Sequence, residues 1–446
     1  MENDFSKGSI AKNIISMALP MTLAQLINLF YSIVDRIYLG RLPSHYALTG
    51  LGLCLPIISI IMAFANLCSM GGAPLCSINR GMGNDEEAEK IQSNSFILLI
   101  IFGIILTLIG FIFKKPILYL FGASDVTFPY ANDYLSIYLL GTLFVMISLG
   151  MNPFINSQGF SKIGMITVSV GAVVNIILDP IFIYGLNLGV KGAAIATVIS
   201  QGCSAIWVLK FLTGKKVILK LKYHALELKR VTRILSLGTS GFAMSITNSL
   251  TQVICNATLE AYSGDLYVGI MTVINSIREV ISMPITGITN GCQPVLSYNY
   301  GAGENERVLK AIRFTMLITM IYSVISWAIV MLIPETLIKL FNNEPELIAA
   351  GVPAFQIYYA TFFFMSFQMI GQSVFVGLGK SKSAIFFSLL RKAFIVAPLT
   401  LILPFIGFGT NGVFLAEPIS NVIGGLACII TMYFTVYRPL KKRSSL

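Results

Sequence analysis

The sequence has little charge and few of the groups from which enzyme centres are built. Only 11% of its 446 residues are charged, whereas about a quarter are charged in a typical soluble protein. It has two histidines, and its seven cysteines are scattered without a C-x-x-C pair, which argues against a zinc, haem or disulfide framework. The chain has no Walker motif and no nucleophilic Ser, His and Asp arrangement. We therefore predict neither an enzyme nor a bound cofactor.

Long hydrophobic runs fill the chain instead. Hydrophobic residues make up 55% of it and the mean hydropathy is +0.79. Runs of about 20 apolar residues, the length that crosses a bilayer as a helix, recur from end to end. The sequence thus predicts an all-α integral membrane protein with twelve transmembrane spans, at residues 13–38, 48–76, 94–113, 131–155, 163–184, 191–212, 234–261, 266–296, 311–333, 351–376, 384–407 and 411–437.

The basic residues indicate the orientation of these spans. With the N-terminus inside, most Lys and Arg fall on the cytoplasmic side, Arg391 and Lys392 among them. This asymmetry predicts a multi-pass protein of the cell membrane with both termini cytoplasmic. The net charge of +11 is then a topology signal, and we expect no nucleic-acid partner.

The two halves of the chain are related by a shift of 220 residues. The glycines of RGMGN, Gly81 and Gly83, align with Gly301 and Gly303, and further matches run along both halves without a gap. Six spans is an even number, so both halves enter the membrane in the same direction. We predict two six-helix lobes related by a pseudo-two-fold axis along the membrane normal, with a central cavity at their interface.

The repeat also sets the predicted domain boundaries. Residues 1–212 form the N-terminal lobe and residues 234–437 the C-terminal lobe. Residues 213–233 form a basic, partly amphipathic linker, which we expect along the cytoplasmic surface. Residues 438–446 form a basic cytoplasmic tail.

Acidic residues inside the spans are candidate functional groups, because charge in hydrocarbon is costly. Asn175 and Asp179 are four residues apart and share a helical face, and Pro180 leaves a carbonyl one turn back without its helical partner. The result is an oxygen-rich pocket suited to a proton or a hard cation, or else a structural polar cluster. Asp35, near the outer end of the first span, either faces the bundle or pairs with Arg36 at the interface.

This acidic group has no counterpart in the second half. At the shift of 220, Asp35, Asn175 and Asp179 align with Cys255, Ile395 and Leu399. If the group is an ion or proton site, the pattern predicts one such site, in the N-terminal lobe. The roles of Glu260, Arg278, Glu279 and Glu417 stay open, although Arg278 would most simply neutralise an acid such as Glu279 or Glu260.

Three segments carry a resemblance to a known family: VDRIYLG, NIILDPIFIYG and GCQPVLSYNYGAG. With twelve spans in two lobes, the chain resembles the multidrug and toxic compound extrusion (MATE) family of secondary transporters, in its DinF-like prokaryotic branch. The resemblance implies that Asp35, Asn175, Asp179 and Thr197 take up a proton, or coordinate sodium if sodium is the coupling ion. It also implies that Pro20 bends the first span, with Pro180 as a second bending position, and that either Tyr134 or Tyr138 lies near the site.

From this resemblance we expect an antiporter that exchanges protons or sodium ions for lipophilic, often cationic, compounds. Burial and a second carboxylate both disfavour the ionised form of an acid, so Asp35 and Asp179 could exchange a proton near neutral pH. We expect small-molecule drugs and membrane lipids as partners of a monomeric chain. The candidates for the substrate cavity are Phe30, Tyr31, Tyr134, Tyr138, Phe154, Gln293, Phe364, Met365 and Glu417.

Two alternatives remain for this architecture. A different bacterial branch uses acids in spans 7, 8 and 10; Glu260 and Glu279 fit that arrangement, but span 10 offers only glutamines. A flippase or exporter of a lipid-linked saccharide or other lipid would share the fold. Its cavity should be rich in Arg and Lys, whereas Arg278 is the only such residue that we assign to the interior of a span.

Overall fold

The computed structural model describes residues 3–42 and 46–444, which are almost entirely helical. The first half contains α1 Ile10–Gly40, α2 Tyr46–Gly81, α3 Asp85–Leu120, α4 Phe128–Leu140, α5 Thr142–Ser157, α6 Ser161–Pro180 and α7 Val190–Leu212. The second half contains α8 Leu228–Ser263, α9 Asp265–Gly301, α10 Asn305–Leu332, α11 Pro334–Lys339, α12 Pro345–Tyr359, α13 Met365–Gly377, α14 Ser381–Leu389, α15 Ala397–Leu403, α16 Gly409–Met432 and α17 Arg438–Ser444.

Several spans are interrupted by wider or tighter helical turns. A π-helical stretch follows α6 at Ile181–Gly185, directly after Pro180, which has no N–H to continue the α-helical ladder. Another, Leu390–Val396, separates α14 from α15, and a 3-10 turn at Phe362–Phe364 precedes α13. Two more π-helical stretches follow α15 and α16, at Pro404–Phe408 and Tyr433–Tyr437.

The helices account for the twelve predicted spans. Among the described residues, nine segments are long and apolar enough to cross a membrane, and the pair α4 and α5, bent by 58°, makes a tenth. One of the nine, Ser381–Ser444, is 64 residues long. It holds two predicted spans, which are divided at Gly407 and Gly409, where φ is +110° and +52°. The remaining span is α8, which does not count among the nine and whose middle part is rich in Ser, Thr and Asn.

Contacts divide the chain into two compact units. Unit 1 contains the described residues up to Asp4 and Leu19–Phe242, and unit 2 contains Phe5–Ala18 and Ala243–Leu446. The divisions therefore fall inside α1, next to Pro20, and inside α8. This differs from the predicted boundaries of 1–212 and 234–437, because the first part of each half's opening helix packs into the unit of the other half.

Close backbone contacts explain this exchange of helix starts. In unit 1, a Cβ atom on Gly71 would overlap the carbonyl oxygen of Ile234, and one on Gly238 would overlap that of Leu67. In unit 2, a Cβ atom on Gly291 would overlap the backbone of Ala18. Gly291 and Gly71 are equivalent at the shift of 220, as are Gly238 and Ala18, so the same crossing is built twice.

Side-chain hydrogen bonds repeat at the same shift and confirm the internal repeat. In unit 1, Ser77 Oγ donates to the carbonyl of Ser157 at 3.2 Å. In unit 2, the equivalent Ser297 Oγ donates to the carbonyl of Gly377 at 2.6 Å. The bonds from Asn152 to Gly164 and from Gln372 to Ala384 form a second equivalent pair.

Within the predicted linker, residues 213–227 form an irregular segment packed in unit 1, and the last residues, from Leu228, begin α8. Gln158 Oε1 accepts hydrogen bonds from the N–H groups of Ile218 and Leu219, at 3.0 and 2.8 Å. Leu219 is fully buried. Beyond the segment, in the first turn of α8, Arg230 forms a bidentate ion pair with Glu87, with both N–O distances at 2.9 Å. Most of the linker is thus fixed by hydrogen bonds to α3 and α5.

Candidate functional site

Helix α6 carries a polar face inside an otherwise apolar span. Gly171, Asn175 and Asp179 recur every fourth residue and are buried, whereas Val173 and Ile177 between them are exposed. This spacing places the small and polar residues on one face, where α6 packs against α7. The predicted pair of Asn175 and Asp179 therefore lies inside unit 1.

Asn175 links the acid of α6 to the hydroxyl group of α7. Its Nδ2 donates long hydrogen bonds to Asp179 Oδ1 at 3.4 Å and to Thr197 Oγ1 at 3.5 Å. Asn175 and Asp179 are fully buried and Thr197 is almost so. Three of the four residues proposed to hold the coupling ion thus form one connected group.

Asp35 joins this group from α1. Its carboxyl group lies close to that of Asp179, and it is buried whereas its neighbour Arg36 is exposed. The alternative of an interfacial pair between Asp35 and Arg36 is therefore disfavoured. The site brings together two carboxyl groups, one amide and one hydroxyl, all within unit 1.

Three oxygen atoms of this group are buried without a hydrogen-bond partner. They are Asp35 Oδ1, Asp179 Oδ2 and Asn175 Oδ1. A buried acceptor without a donor is costly, so the group is incomplete as a purely structural cluster. Oxygen acceptors of this kind suit a proton or a hard cation. Within the described ranges, this site included, no group of three or more His, Cys, Asp or Glu side chains could hold a metal.

The structure separates the two candidate tyrosines of the fourth predicted span. The Tyr134 side chain interacts with Thr197 and lies near Asp35. The ring of Tyr138 stacks on that of Tyr134, with centroids 6.1 Å apart and an interplanar angle of 17°. Tyr134 is therefore the tyrosine beside the group, and Tyr138 packs on its ring.

A cavity of about 210 Å³ leads away from the group within unit 1. Tyr31 lines it and also interacts with Thr197, so this side chain connects the cavity to the carboxyl cluster. The rest of the wall is rich in amides and hydroxyls, including Asn28, Asn152, Ser148 and Gln201. Polar groups of this kind can hold water in the part of the cavity beside Tyr31.

The other predicted cavity residues occupy different environments. Phe154 and Met365 are buried in hydrophobic cores, Phe154 fully, and fill the interior of their units. Phe30 is 64% exposed. Phe364 packs against Phe363 and Phe367, and Gln293 is half-buried beside Gly377. Of the remaining candidates, Glu417 lines a cavity of about 130 Å³ in unit 2.

Sequence reasoning missed the surroundings of Glu417. Arg391 and Lys392 were expected at the cytoplasmic surface, but both are buried, at 7% and 5% exposure. Arg391 Nη1 lies 2.7 Å from Glu417 Oε1 and Lys392 Nζ lies 2.9 Å from Oε2. Arg278 does neutralise an acid, as predicted, but that acid is Glu417, at 3.5 Å. Glu260 and Glu279, its expected partners, are exposed.

The sequence did contain a signal for this second cluster. Arg391 and Lys392 lie within the predicted span 384–407, where charge is costly. At the shift of 220, Glu417 aligns with Thr197. The second half therefore has an acid at the position where the first half has the threonine of its buried polar group. Because Glu417 lies in the neighbouring predicted span, the sequence allowed the prediction that it pairs with Arg391 and Lys392.

Comparisons with known proteins agree with this architecture. The MatE family profile matches residues 20–181 and 241–402, once in each half and over most of the chain. The chain belongs to the MatE family. It is therefore a multi-pass membrane transporter and not an enzyme, as the sequence predicts.

Individual relatives cover nearly the full length. The multidrug export protein MepA of Staphylococcus haemolyticus is 25% identical over 435 residues, which are 97% of this chain and 94% of that protein. A structure of the MATE multidrug transporter DinF-BH is 32% identical, covers 95% of each chain and has a TM-score of 0.87. A MATE crystal structure in the bent conformation matches with a TM-score of 0.92 at 22% identity over 98% of each chain. The predicted fold class is thus confirmed.

Proposed function

We propose that this transporter exports lipophilic, often cationic, drugs in exchange for a proton or sodium ion held by Asp35, Asn175, Asp179 and Thr197. The observation that carries the proposal is the set of three buried oxygens without hydrogen-bond partners on Asp35, Asn175 and Asp179. Two ionised carboxylates in contact repel each other in a buried site. A proton or sodium ion between them would reduce that repulsion; a proton would satisfy one of the unpaired acceptors, and a sodium ion could be coordinated by several of them.

Ion binding would act on α1 through Asp35. When the site is empty, repulsion favours a packing of α1 that separates Asp35 from Asp179; when it is occupied, the two side chains can stay together. A ligand shifts such an equilibrium only by its differential affinity for the two packings, and here the carboxyl pair supplies that difference. Pro20, where α1 lacks one backbone hydrogen bond, is the position at which a bend is least costly.

The nature of the cargo rests on the relatives and on the charge of the site. MepA proteins are named as multidrug exporters and DinF-BH as a multidrug transporter. The two carboxyl groups of the unit 1 cluster, those of Asp35 and Asp179, favour cations nearby. Tyr31 contributes an aromatic ring to the wall of the adjacent cavity. The aromatic and amide wall would accept a cationic, partly apolar group through charge and stacking.

A lipid-linked saccharide is the alternative cargo, and the buried cations around Glu417 are the observation that favours it. The cavity beside them measures about 130 Å³, which is smaller than the cavity of about 210 Å³ in unit 1. A small anion fits this space, whereas a saccharide headgroup does not. The relatives are named for multidrug export or transport, so the efflux of drugs is the better supported function.

The proposal is tested by transport in proteoliposomes with the proton and sodium gradients imposed separately. Ethidium, a fluorescent lipophilic cation, serves as the cargo. We expect one of the two gradients to drive concentrative movement of ethidium, and that gradient identifies the coupling ion. Transport that is driven by neither gradient would overturn the proposal.

A further inference from the structure

Unit 2 contains a buried cluster in which cations outnumber acids. The carboxylate of Glu417 in α16 meets Arg391 at 2.7 Å, Lys392 at 2.9 Å and Arg278 at 3.5 Å. Arg391 and Lys392 come from the π-helical stretch after α14, and Arg278 comes from α9. Three helical segments are therefore held around one acid.

The remaining partners of these cations are neutral. Arg391 donates a second hydrogen bond to Asn421 Oδ1 at 3.1 Å, and Arg278 donates to the hydroxyl of Tyr358 at 2.9 Å. Lys392 makes a single hydrogen bond, to Glu417, within the described part of the chain, although an ammonium group has three donors. The cluster thus carries two more positive than negative formal charges. An unpaired buried charge is strongly unfavourable, and an anion bound beside these cations would offset the excess.

The cavity of about 130 Å³ opens directly onto the cluster. Arg278, Lys392 and Glu417 form part of its wall, and Asn248, Thr251 and Asn275 add amide and hydroxyl donors. The volume is several times the ~30 Å³ that one water occupies in the liquid. It has room for one compact anion and is rich in groups that donate hydrogen bonds.

The charged residues of the two pockets fall at different positions of the repeat. At the shift of 220, Thr251, Cys255 and Tyr358 of this wall align with Tyr31, Asp35 and Tyr138. Similarly, Glu417 aligns with Thr197 and Lys392 with Ala172. The repeat has therefore retained a polar pocket in each half, but the carboxylates of the first are lost in the second and cations have been added.

We propose that the unit 2 cavity binds a compact monovalent anion, either an inorganic halide or the carboxylate group of an organic solute, between Lys392 and Arg278. The anion would accept hydrogen bonds from the free donors of Lys392 and neutralise part of the excess charge. This site lies outside the carboxyl cluster of unit 1. It therefore goes beyond the export function proposed above and does not depend on it.

Anion binding is measured through the thermal unfolding midpoint, Tm, of the purified full-length transporter in detergent. Sodium gluconate is replaced stepwise by sodium chloride or sodium acetate at constant ionic strength, so the sodium concentration is unchanged. Gluconate is the reference because it is too large for the cavity. We expect a saturable rise in Tm of several degrees, since a ligand that binds only the folded state stabilises it.

Two variants locate the site. Lys392→Gln removes the ammonium group, and Arg278→Gln removes the guanidinium group at the partly exposed edge of the cluster, where unfolding of the variant is less of a risk. We expect each to raise the apparent Kd for the anion at least tenfold. Lys382→Gln makes the same change at an exposed lysine and should leave the Kd unchanged.

The two anions distinguish the possible sources of the ligand. A response to chloride alone assigns the site to an inorganic ion, and a response to acetate, with or without chloride, assigns it to a carboxylate group. Asp179→Asn should abolish coupled transport and keep the anion response, so a failure of one proposal is distinguishable from a failure of the other. No saturable shift with either anion, or an unchanged Kd in both Lys392→Gln and Arg278→Gln, would overturn the assignment.

Discussion

Asn175 and Asp179 lie one helical turn apart on α6, and the amide of Asn175 donates to only one of the two carboxylate oxygens of Asp179, at 3.4 Å. The other oxygen, Oδ2, is buried without a partner. The same amide reaches Thr197 on α7 at 3.5 Å. Asn175 therefore fixes the orientation of both neighbours and leaves one oxygen of Asp179 available to an ion that the protein itself does not supply.

Thr197→Val should weaken binding of the coupling ion by about tenfold and leave folding intact. Valine has nearly the shape of threonine but lacks the hydroxyl that belongs to the group, and a hydrogen bond to a charged group contributes about 1.5–3 kcal/mol. The measurement is the ethidium transport rate against the concentration of the coupling ion. Thr213→Val, at the exposed C-terminus of α7, is the matched control. An unchanged half-saturating concentration would exclude Thr197 from the site.

Gly71→Ala should destabilise unit 1 by about 1–3 kcal/mol, as overpacking of a tight contact does. The added methyl group would overlap the carbonyl oxygen of Ile234, a backbone atom that cannot rotate away. Gly52→Ala is the control in the same helix, because its Cβ atom would meet nothing within 4 Å. Tm in detergent reports the difference. Equal Tm values for the two variants would show that α2 and α8 are not in close backbone contact.

Gln158→Leu should release the linker from unit 1. The buried amide of Gln158 accepts hydrogen bonds from Ile218 and Leu219 and donates one to Phe154, and leucine can make none of them. We expect faster tryptic cleavage at the lysines between positions 215 and 222, as detected by mass spectrometry of the fragments. Gln356→Leu, at an exposed position of α12, should leave the cleavage rate unchanged. The same protection in both variants would argue against this anchoring role.

Glu417→Gln should be strongly destabilising, by about 3–5 kcal/mol, because removal of one partner leaves buried charges without compensation. Glu417 is the acid that contacts Arg278, Arg391 and Lys392. The yield and Tm of the variant are compared with those of Glu279→Gln, which makes the same change at an exposed glutamate. A Tm equal to that of the control would mean that the cations do not depend on Glu417.

Periodicity and the internal repeat were enough to predict the helices. The spans follow from the length of the apolar runs, and the shift of 220 predicted the repeat that the equivalent hydrogen bonds of Ser77 and Ser297 reflect. The spacing of Asn175 and Asp179 predicted their shared face. The sequence did not show which of Tyr134 and Tyr138 lies near the site. That choice depends on the rotation of α4 about its axis, which only the packed structure shows.

The sequence was least informative where packing overrides local pattern. Arg391 and Lys392 are adjacent basic residues of the kind that marks the cytoplasmic end of a helix. Their burial is compensated by ion pairs with Glu417, which is far away in the sequence. The exchange of helix starts was also missed, because no local feature shows that Ala18 packs against Gly291. Both cases depend on contacts between residues that are far apart in sequence.

The most direct test of the central claim is coupled ethidium efflux by Asp179→Asn in proteoliposomes. Asparagine keeps the size of the side chain but cannot take up a proton or carry the charge that attracts sodium. Asp133→Asn, a change at an acid that is 40% exposed and paired with Lys191, controls for loss of a carboxylate elsewhere in unit 1. The account predicts that Asp179→Asn loses gradient-driven efflux while Asp133→Asn retains it. Undiminished coupled efflux in Asp179→Asn would contradict the account.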